Sequence, residues 1–249
     1  MLSPSSRLAA LPRLLLQPLL QTLLPSSCAL CGAVQDAAVC RACSLAHAAG
    51  GRARCPCCAN PVAAGDGARR CGACLADPPA FDATVAACDY AAPLDGLVLG
   101  LKFGARLPLA PWMAARLQEA VLDSGTPLPD LLCPVPLGPR RLVERGYNQA
   151  LEVARPLAAG LGIPLAPRLL DRVLETPAQS GVAPGERRRN VRGAFAPADG
   201  QASLAGRHVG VVDDVMTSGH TLDELAGVLK RAGAARVTNF VFARTPPHI

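Results

Sequence analysis

The chain is poor in aromatic residues, poorer in lysine, and has no long uninterrupted apolar run. Aromatics are 3% of its 249 residues, with one Trp and two Tyr. A surface dedicated to stacking single-stranded bases needs more π-faces than that. Lys102 and Lys230 are the only lysines, so nearly all the positive charge behind the net +6 is arginine. Arginine forks suit phosphate, but net charge alone favours an anionic ligand or nucleic acid only weakly. The richest apolar stretch, Leu8–Leu24, is broken by Pro12, Arg13, Gln17, Pro18 and Gln21. It falls short of the roughly 18 to 20 continuous residues that span a bilayer. Arg7 and Arg13 give it the flank of a secretory signal, but no small-x-small cleavage pattern follows cleanly. Residues 1–27 therefore read as an amphipathic segment packed on the body of a cytoplasmic protein, with no stable membrane insertion.

Cysteine is abundant. Nine of the eleven lie between Cys28 and Cys74, too many for a cytoplasmic protein of this size unless they hold metal. Four CxxC pairs are visible: Cys28 with Cys31, Cys40 with Cys43, Cys55 with Cys58, and Cys71 with Cys74. Two thiolates on a tight knuckle share one metal face, and two knuckles complete a tetrahedral all-sulfur site. The expectation is two structural Zn2+ ions; disulfides are the alternative. Sequential pairing is the simplest, and an interleaved one fits the same spacings. Cys57, inside CPCC, is a candidate substitute ligand, and His47 a remote one that reads better as a surface histidine. Cys88 and Cys133 lie in expected strands and read as small buried apolar residues.

Three blocks follow from these patterns: the apolar segment 1–27, a cysteine-rich block 28–78 closed by Pro78 and Pro79, and a third block over 79–249. From Phe81 onward, short apolar runs alternate with helical stretches. Strands are expected over Asp82–Tyr90, Leu131–Pro134, Val209–Val212 and Val237–Ala243. Helices are expected over Leu107–Asp123, Tyr147–Leu161 and Thr221–Ala232. That alternation predicts an α/β fold, a mostly parallel sheet with flanking helices, which takes ligands at the carboxyl ends of its strands. Thr176–Arg192, with its four arginines, reads as a long polar loop, and loops of that length are usually functional or disordered.

The most informative string is VGVVDDVMTSGHTL, Val209–Leu222. A β-branched strand meets two carboxylates, Asp213 and Asp214, then Thr217-Ser218-Gly219-His220-Thr221 and a helix. Backbone N–H groups and hydroxyls at a helix N-terminus form a nest for phosphate, and Gly219 lets the backbone come close. Carboxylates just upstream accept hydrogen bonds from a ribose diol. A strand end with an Asp cap is the plain alternative, but the coincidence of strand, acid pair, small-residue loop and helix favours a sugar phosphate.

VVDDVMTSGHTL resembles the phosphoribosyl pyrophosphate (PRPP) motif of type I phosphoribosyltransferases. The cysteine knuckles, CGACLADPPAFD, LKFGARLPLA, PVPLGPRRLVERGYNQA, TPAQ, GERRRNVRGAF and AGAARVTNFVFART together resemble the ComF family. These are competence-associated proteins with an N-terminal double zinc ribbon and a phosphoribosyltransferase-like domain. The likeness covers Cys28–Thr245 and departs at Ser218, where a second threonine is common, and at the extra cysteine of CPCC. It implies that Asp213 and Asp214 hold the ribose hydroxyls, and that Thr217, Ser218, Gly219, His220 and Thr221 cradle the 5-phosphate. Val135, Pro136, Leu137 and Gly138 would form the pyrophosphate loop, with Arg140, Arg141 and Arg145 nearby in sequence. Arg187, Arg188 and Asn190 would sit on a mobile cover, and Lys102 is a further candidate for a pyrophosphate contact. The implied cofactors are Zn2+ and, with PRPP, Mg2+; the implied partners are PRPP, single-stranded DNA and the DNA-uptake machinery. No segment is recognisable as an acceptor site. The sequence therefore leaves transfer of phosphoribose and PRPP sensing without turnover side by side.

Overall fold

The strand–helix alternation after Phe81 builds a four-stranded sheet in a computed structural model of the chain, which describes residues 26–47, 52–174, 191–198 and 203–246. All but Ser26 and Ser27 of the amphipathic N-terminal segment, together with Arg187, Arg188 and Asn190, lie outside the described residues. The chain divides into two compact units at His47/Ala48.

In the first unit, β1 (Ser26–Ser27) and β2 (Val34–Gln35) pair antiparallel and α1 (Arg41–His47) follows. Cys28 and Val39 are its buried side chains among the described residues.

The second unit carries the rest. A short helix, α2 (Gly72–Ala76), precedes β3 (Ala83–Asp89), α3 (Leu94–Phe103), α4 (Leu109–Asp123) and β4 (Leu131–Pro134). Next come α5 (Pro139–Arg145), α6 (Gln149–Leu161), and the small antiparallel pair β5 (Leu170–Arg172) and β6 (Phe195–Pro197). The chain closes with β7 (His208–Met216), α7 (His220–Arg231) and β8 (Arg236–Arg244). The main sheet has the order β3-β8-β7-β4 and every neighbouring pair is parallel. The expected strands and helices are all present; after Phe81, α3, α5 and the β5–β6 pair are additional.

The central strands β7 and β8 are covered on both faces, which is what a parallel sheet requires. Side chains alternate across them. Val209, Val211, Val237 and Val241 pack with Leu222, Leu225 and Leu229 of α7. On the opposite face Phe242 meets Trp112 of α4 edge-on, with ring centroids 5.9 Å apart. α4 buries Leu109, Met113, Leu117 and Val121, and α6 buries Ala150, Val153, Ala154 and Leu157; both stripes have helical spacing. Each fully buried Leu or Phe of this core contributes roughly 1.5 to 3 kcal/mol of transfer free energy. Gly210 is needed for this packing. A Cβ there would lie 2.4 Å from Leu132 Cδ2 and 2.7 Å from Phe240 Cε2.

One boundary differs in a way that matters for the site. The strand expected to stop at Val212 continues to Met216. β8 is just as long, and the pairing carries on through Asp213 with Val241, Val215 with Ala243 and Met216 with Arg244. The acid pair therefore lies within the strand rather than after it, and Asp214 is 2% exposed.

Candidate functional site

The carboxyl ends of β4 and β7, the end of α3 and the starts of α6 and α7 each contribute residues to one locus. Its centre is the acid pair. Lys102 Nζ lies 2.8 Å from Asp214 Oδ2, and Gln149 Nε2 donates to Asp214 Oδ1 at 3.4 Å. The Asp214 backbone N–H donates to Asp213 Oδ1 at 2.9 Å. Burial pushes both carboxyls towards the neutral form, but their neighbours drive them apart. At Asp214 the Lys102 ammonium overcomes burial and holds the carboxyl below its usual range. At Asp213 burial and the adjacent Asp214 charge prevail and raise the pKa well above the usual value. Burial opposes ionisation of Lys102, yet Asp214 and Asp213 outweigh it and raise its pKa. The two neighbouring carboxyls are thus pushed in opposite directions, Asp214 towards the ionised form and Asp213 towards the neutral one, a pattern typical of functional sites.

The run Tyr147-Asn148-Gln149 fastens the walls together. Tyr147 donates its hydroxyl to the Leu101 carbonyl. Asn148 caps α6 by accepting from the Ala150 and Leu151 backbone N–H groups, and its Nδ2 donates to the Val135 carbonyl at 2.9 Å. Gln149 reaches Asp214. Three consecutive side chains thus tie α3, the Val135–Gly138 loop and β7 to the start of one helix, which explains why the sequence breaks its apolar stripe there. Val135 itself extends the β4 pairing by donating to Val212 O at 2.9 Å.

Beyond Met216 the chain turns through exposed Thr217 and Ser218 into buried Gly219. Gly219 has φ +85°, and a Cβ there would come within 2.6 Å of Met216 Cε. It is the N-cap of α7, so the first amides of that twelve-residue helix are presented at the loop as a nest for an anion. Ser218 Oγ and His220 Nδ1 are 3.2 Å apart.

Asp213, Asp214 and the 217–221 loop are thus consecutive in space as in sequence, and the Val135–Gly138 loop follows the strand paired to β7. Arg145 donates to Gln149 Oε1 and its guanidinium lies 5.4 Å from the Phe103 ring centroid. Arg140 is exposed and pairs along its own helix with Glu144 at 3.9 Å. Most of the expected cover loop lies outside the described residues; of the segments on either side of it, β5 pairs with β6, and the Gly193 N–H donates to Glu224 of α7 at 3.0 Å. The sequence named Lys102 for the pyrophosphate and overlooked Gln149 and Arg244. The signal for Arg244 was a charged residue closing an otherwise apolar strand, FVFAR.

The cysteines gather in two clusters, Cys28, Cys31, Cys40 and Cys43 in the first unit and Cys55, Cys58, Cys71 and Cys74 in the second, with the sulfurs of each within 4.8 Å of one another. This is the sequential grouping. Cys31 and Cys40 sulfurs are 3.8 Å apart and those of Cys58 and Cys71 3.6 Å, close to the ~3.8 Å edge of a tetrahedron with 2.3 Å Zn–S bonds. Backbone N–H groups already point at the ligands: Cys40 N–H donates to Cys28 Sγ at 3.3 Å and Cys71 N–H to Cys55 Sγ at 3.2 Å. Burial opposes ionisation of Cys28 and Cys55, but such donors outweigh it and lower their pKa to about 6 and about 7. Among their partners, hydrogen bonding to Cys40 pushes Cys43 up to about 12, and burial pushes Cys58 up to about 11. The donor set fits structural zinc, whose charge is what lets four crowded thiols ionise together. Cys57 stands apart, its Sγ directed at the Phe81 carbonyl at 4.0 Å. His47 is exposed at the end of α1. Cys133 is buried in β4 and Cys88 half-buried in β3; burial pushes both thiols up to about 12.

Comparison with known proteins gives two domain matches. Residues 19–75 match the double zinc ribbon domain, and residues 148–247 match the phosphoribosyl transferase domain. Lys102 and the Val135–Gly138 loop lie ahead of the second match. The DNA utilization protein YhgH of Salmonella typhi is 38% identical over 179 residues, covering 70% of this chain and 78% of that protein. Its Escherichia coli K12 counterpart is 36% identical over the same shares. Competence protein F of Haemophilus influenzae is 34% identical over 71% of this chain and 79% of its own length. A purine phosphoribosyltransferase from Pyrococcus horikoshii superposes at a TM-score of 0.33 with 19% identity over 54% of this chain and 83% of that one, an overlap too slight to build on. Among the described residues, no helix is long and apolar enough to cross a membrane.

Proposed function

Because the chain belongs to the ComF family, the family of competence protein F and the DNA utilization protein YhgH, we propose that its pocket binds PRPP with Mg2+ and serves DNA uptake or utilisation in the cytoplasm. The observation that carries the reading is the acid pair late in β7, with Asp214 held by Lys102 and Gln149, directly ahead of a glycine-capped helix start. A lone anion has no use for an acceptor such as Asp213; a ribose diol next to a phosphate has.

The roles follow from exposure. Asp213, half-buried, accepts from the ribose hydroxyls alongside the Asp214 backbone N–H that it already holds. Asp214 is committed to Lys102 and Gln149 and sets their positions. Thr217, Ser218, Gly219, His220 and Thr221 hold the 5-phosphate through amides and hydroxyls. Lys102, with a side chain 27% exposed, and the Val135, Pro136, Leu137 and Gly138 loop face the pyrophosphate. Arg187, Arg188 and Asn190, which the resemblance assigns to the cover, lie outside the described residues. Mg2+ bound with PRPP offsets the negative charge of the pyrophosphate. The protein supplies position and exclusion of water and needs no nucleophile of its own.

Calorimetry with PRPP and Mg2+ on the native chain and on Asp213→Asn/Asp214→Asn tests the pocket. Binding by the native chain and loss of most of it in the double variant is the expected result. Equal binding by both, or none by either, removes the assignment. Release of pyrophosphate with a panel of nucleobases then separates a phosphoribosyltransferase from a sensor. Direct contact with single-stranded DNA, consistent with the +6 charge, would weaken steeply with salt.

A further inference from the structure

Arg244 is the last residue of β8 and is 5% exposed. It donates to main-chain oxygens drawn from three places. Nε donates to the Cys58 carbonyl at 2.8 Å. Nη1 donates to the carbonyls of Met216 at 3.1 Å, of Thr217, and of Thr245 at 2.6 Å. Cys58 belongs to the second cysteine cluster; Met216 and Thr217 open the 217–221 loop. One rigid guanidinium plane therefore spans from metal knuckle to loop.

A buried guanidinium is costly unless it is hydrogen-bonded and its charge is compensated. The carbonyls engage its Nε and Nη1 donors, and a tetrathiolate zinc centre, which is net anionic, would supply compensating charge beside them. Other contacts run the same way. The knuckle's Pro56 carbonyl accepts from Thr84 of β3 at 3.1 Å. Phe81, whose carbonyl faces Cys57 Sγ, lies 3.9 Å from the position a Gly219 Cβ would occupy. Cys55, Cys57, Cys58 and Cys74 share one buried cluster with Phe81, Met216 and Leu222. The first cysteine cluster belongs to the other compact unit.

We infer that the second cysteine cluster positions the phosphate loop, with Arg244 as the link, so that metal held by Cys55, Cys58, Cys71 and Cys74 keeps the 217–221 amides in ligand-ready orientation. Arg244 is a positioning residue: it fixes the Thr217 carbonyl at the start of the loop. The two clusters then differ in kind. Metal loss at the second loosens the loop, and metal loss at the first does not. The ligand side of this inference rests on the reading of 217–221 as a phosphate cradle; the mechanical side does not.

The test is hydrogen exchange of the zinc-loaded full chain without ligand, paired with titration of ribose 5-phosphate. In Arg244→Met the amides of residues 217–221 should exchange at least about tenfold faster, while core amides of β4 keep their protection. Arg244→Lys, which retains the charge and some donors, should fall between. Cys71→Ser should accelerate the same amides, and Cys43→Ser should leave them unchanged. In the combination Arg244→Met/Cys71→Ser the second change should add little, because both cut one link. Ribose 5-phosphate affinity should fall about tenfold or more wherever the loop amides accelerate. Loop protection in Arg244→Met equal to the native chain overturns the inference, as does equal loosening by Cys43→Ser and Cys71→Ser. If the exchange pattern holds but the native chain binds no ribose 5-phosphate, the pocket assignment falls and the link stands.

Discussion

Lys102 Nζ and Asp214 Oδ2 are 2.8 Å apart, which joins the last turn of α3 to a central strand of the sheet. Lys102→Met leaves Asp214, 2% exposed, as an uncompensated buried carboxylate. Breaking such a pair from one side costs roughly 3 to 5 kcal/mol. Urea unfolding should show a fall of about that size, smaller if Asp214 takes up a proton instead. Lys102→Met/Asp214→Asn should recover a large part of the loss, since the double change removes the stranded charge. A midpoint in Lys102→Met equal to that of the native chain would mean the pair does not stabilise the fold.

Asp213 should reveal itself through pH. Its pKa in the folded chain lies well above the usual carboxylate value, whereas the unfolded chain titrates near about 3.9. The folded state therefore holds this proton more tightly, and the associated stability is complete below the unfolded pKa and lost as pH rises through the folded one. Asp214 works in the opposite sense. Its lowered pKa gives stability that is present above the ordinary carboxylate range and lost as pH falls through the folded value. Asp213→Asn should accordingly raise the melting temperature at pH 8, with the advantage shrinking towards pH 4, while weakening ribose 5-phosphate binding at both. A lower melting temperature at pH 8 would contradict the raised pKa.

How far the sequence revealed this site depended on distance along the chain. The TSGHT turn, the CxxC knuckles and the β-branched run Val209–Val212 were legible because each is a local pattern with a local cause. The length of β7 was not. Aspartate is a poor strand former, and only pairing with β8 carries the strand through Asp213 to Met216. α3 was hidden for a related reason. LDGLVLGLKF is short, holds Gly96 and Gly100, and owes its helix to burial of Leu94, Leu97, Val98 and Leu101 more than to propensity. The partners of Lys102, Gln149 and Arg244 are separated from them by whole elements, and no period within the sequence encodes such contacts.

Metal content should follow the sulfur geometry. The native chain should carry about two zinc ions and Cys43→Ser about one, given four thiolates per site. Cys57→Ser is the informative variant. Its sulfur lies outside the four-sulfur set and within 4.0 Å of the Phe81 carbonyl oxygen, so zinc content should stay at about two per chain. Loss of one ion in Cys57→Ser would place that thiol among the ligands and move Cys55 or Cys58 out.

Gly219 separates two reasons for keeping a glycine. Its φ of +85° disfavours any L side chain, and a Cβ would also meet Met216 Cε at 2.6 Å. The first cost is about 1 to 2 kcal/mol for Ala. The second can be relieved, because the obstructing atom is the end of a flexible side chain. Gly219→Ala should therefore lose stability by at least the first amount in urea unfolding, and Gly219→Ala/Met216→Ala should not regain that part. Ribose 5-phosphate binding should fall in both variants, because an alanine at this positive φ shifts the loop amides. Gly219→Ala with native affinity would move the phosphate away from the start of α7 and leave the acid pair without its neighbour.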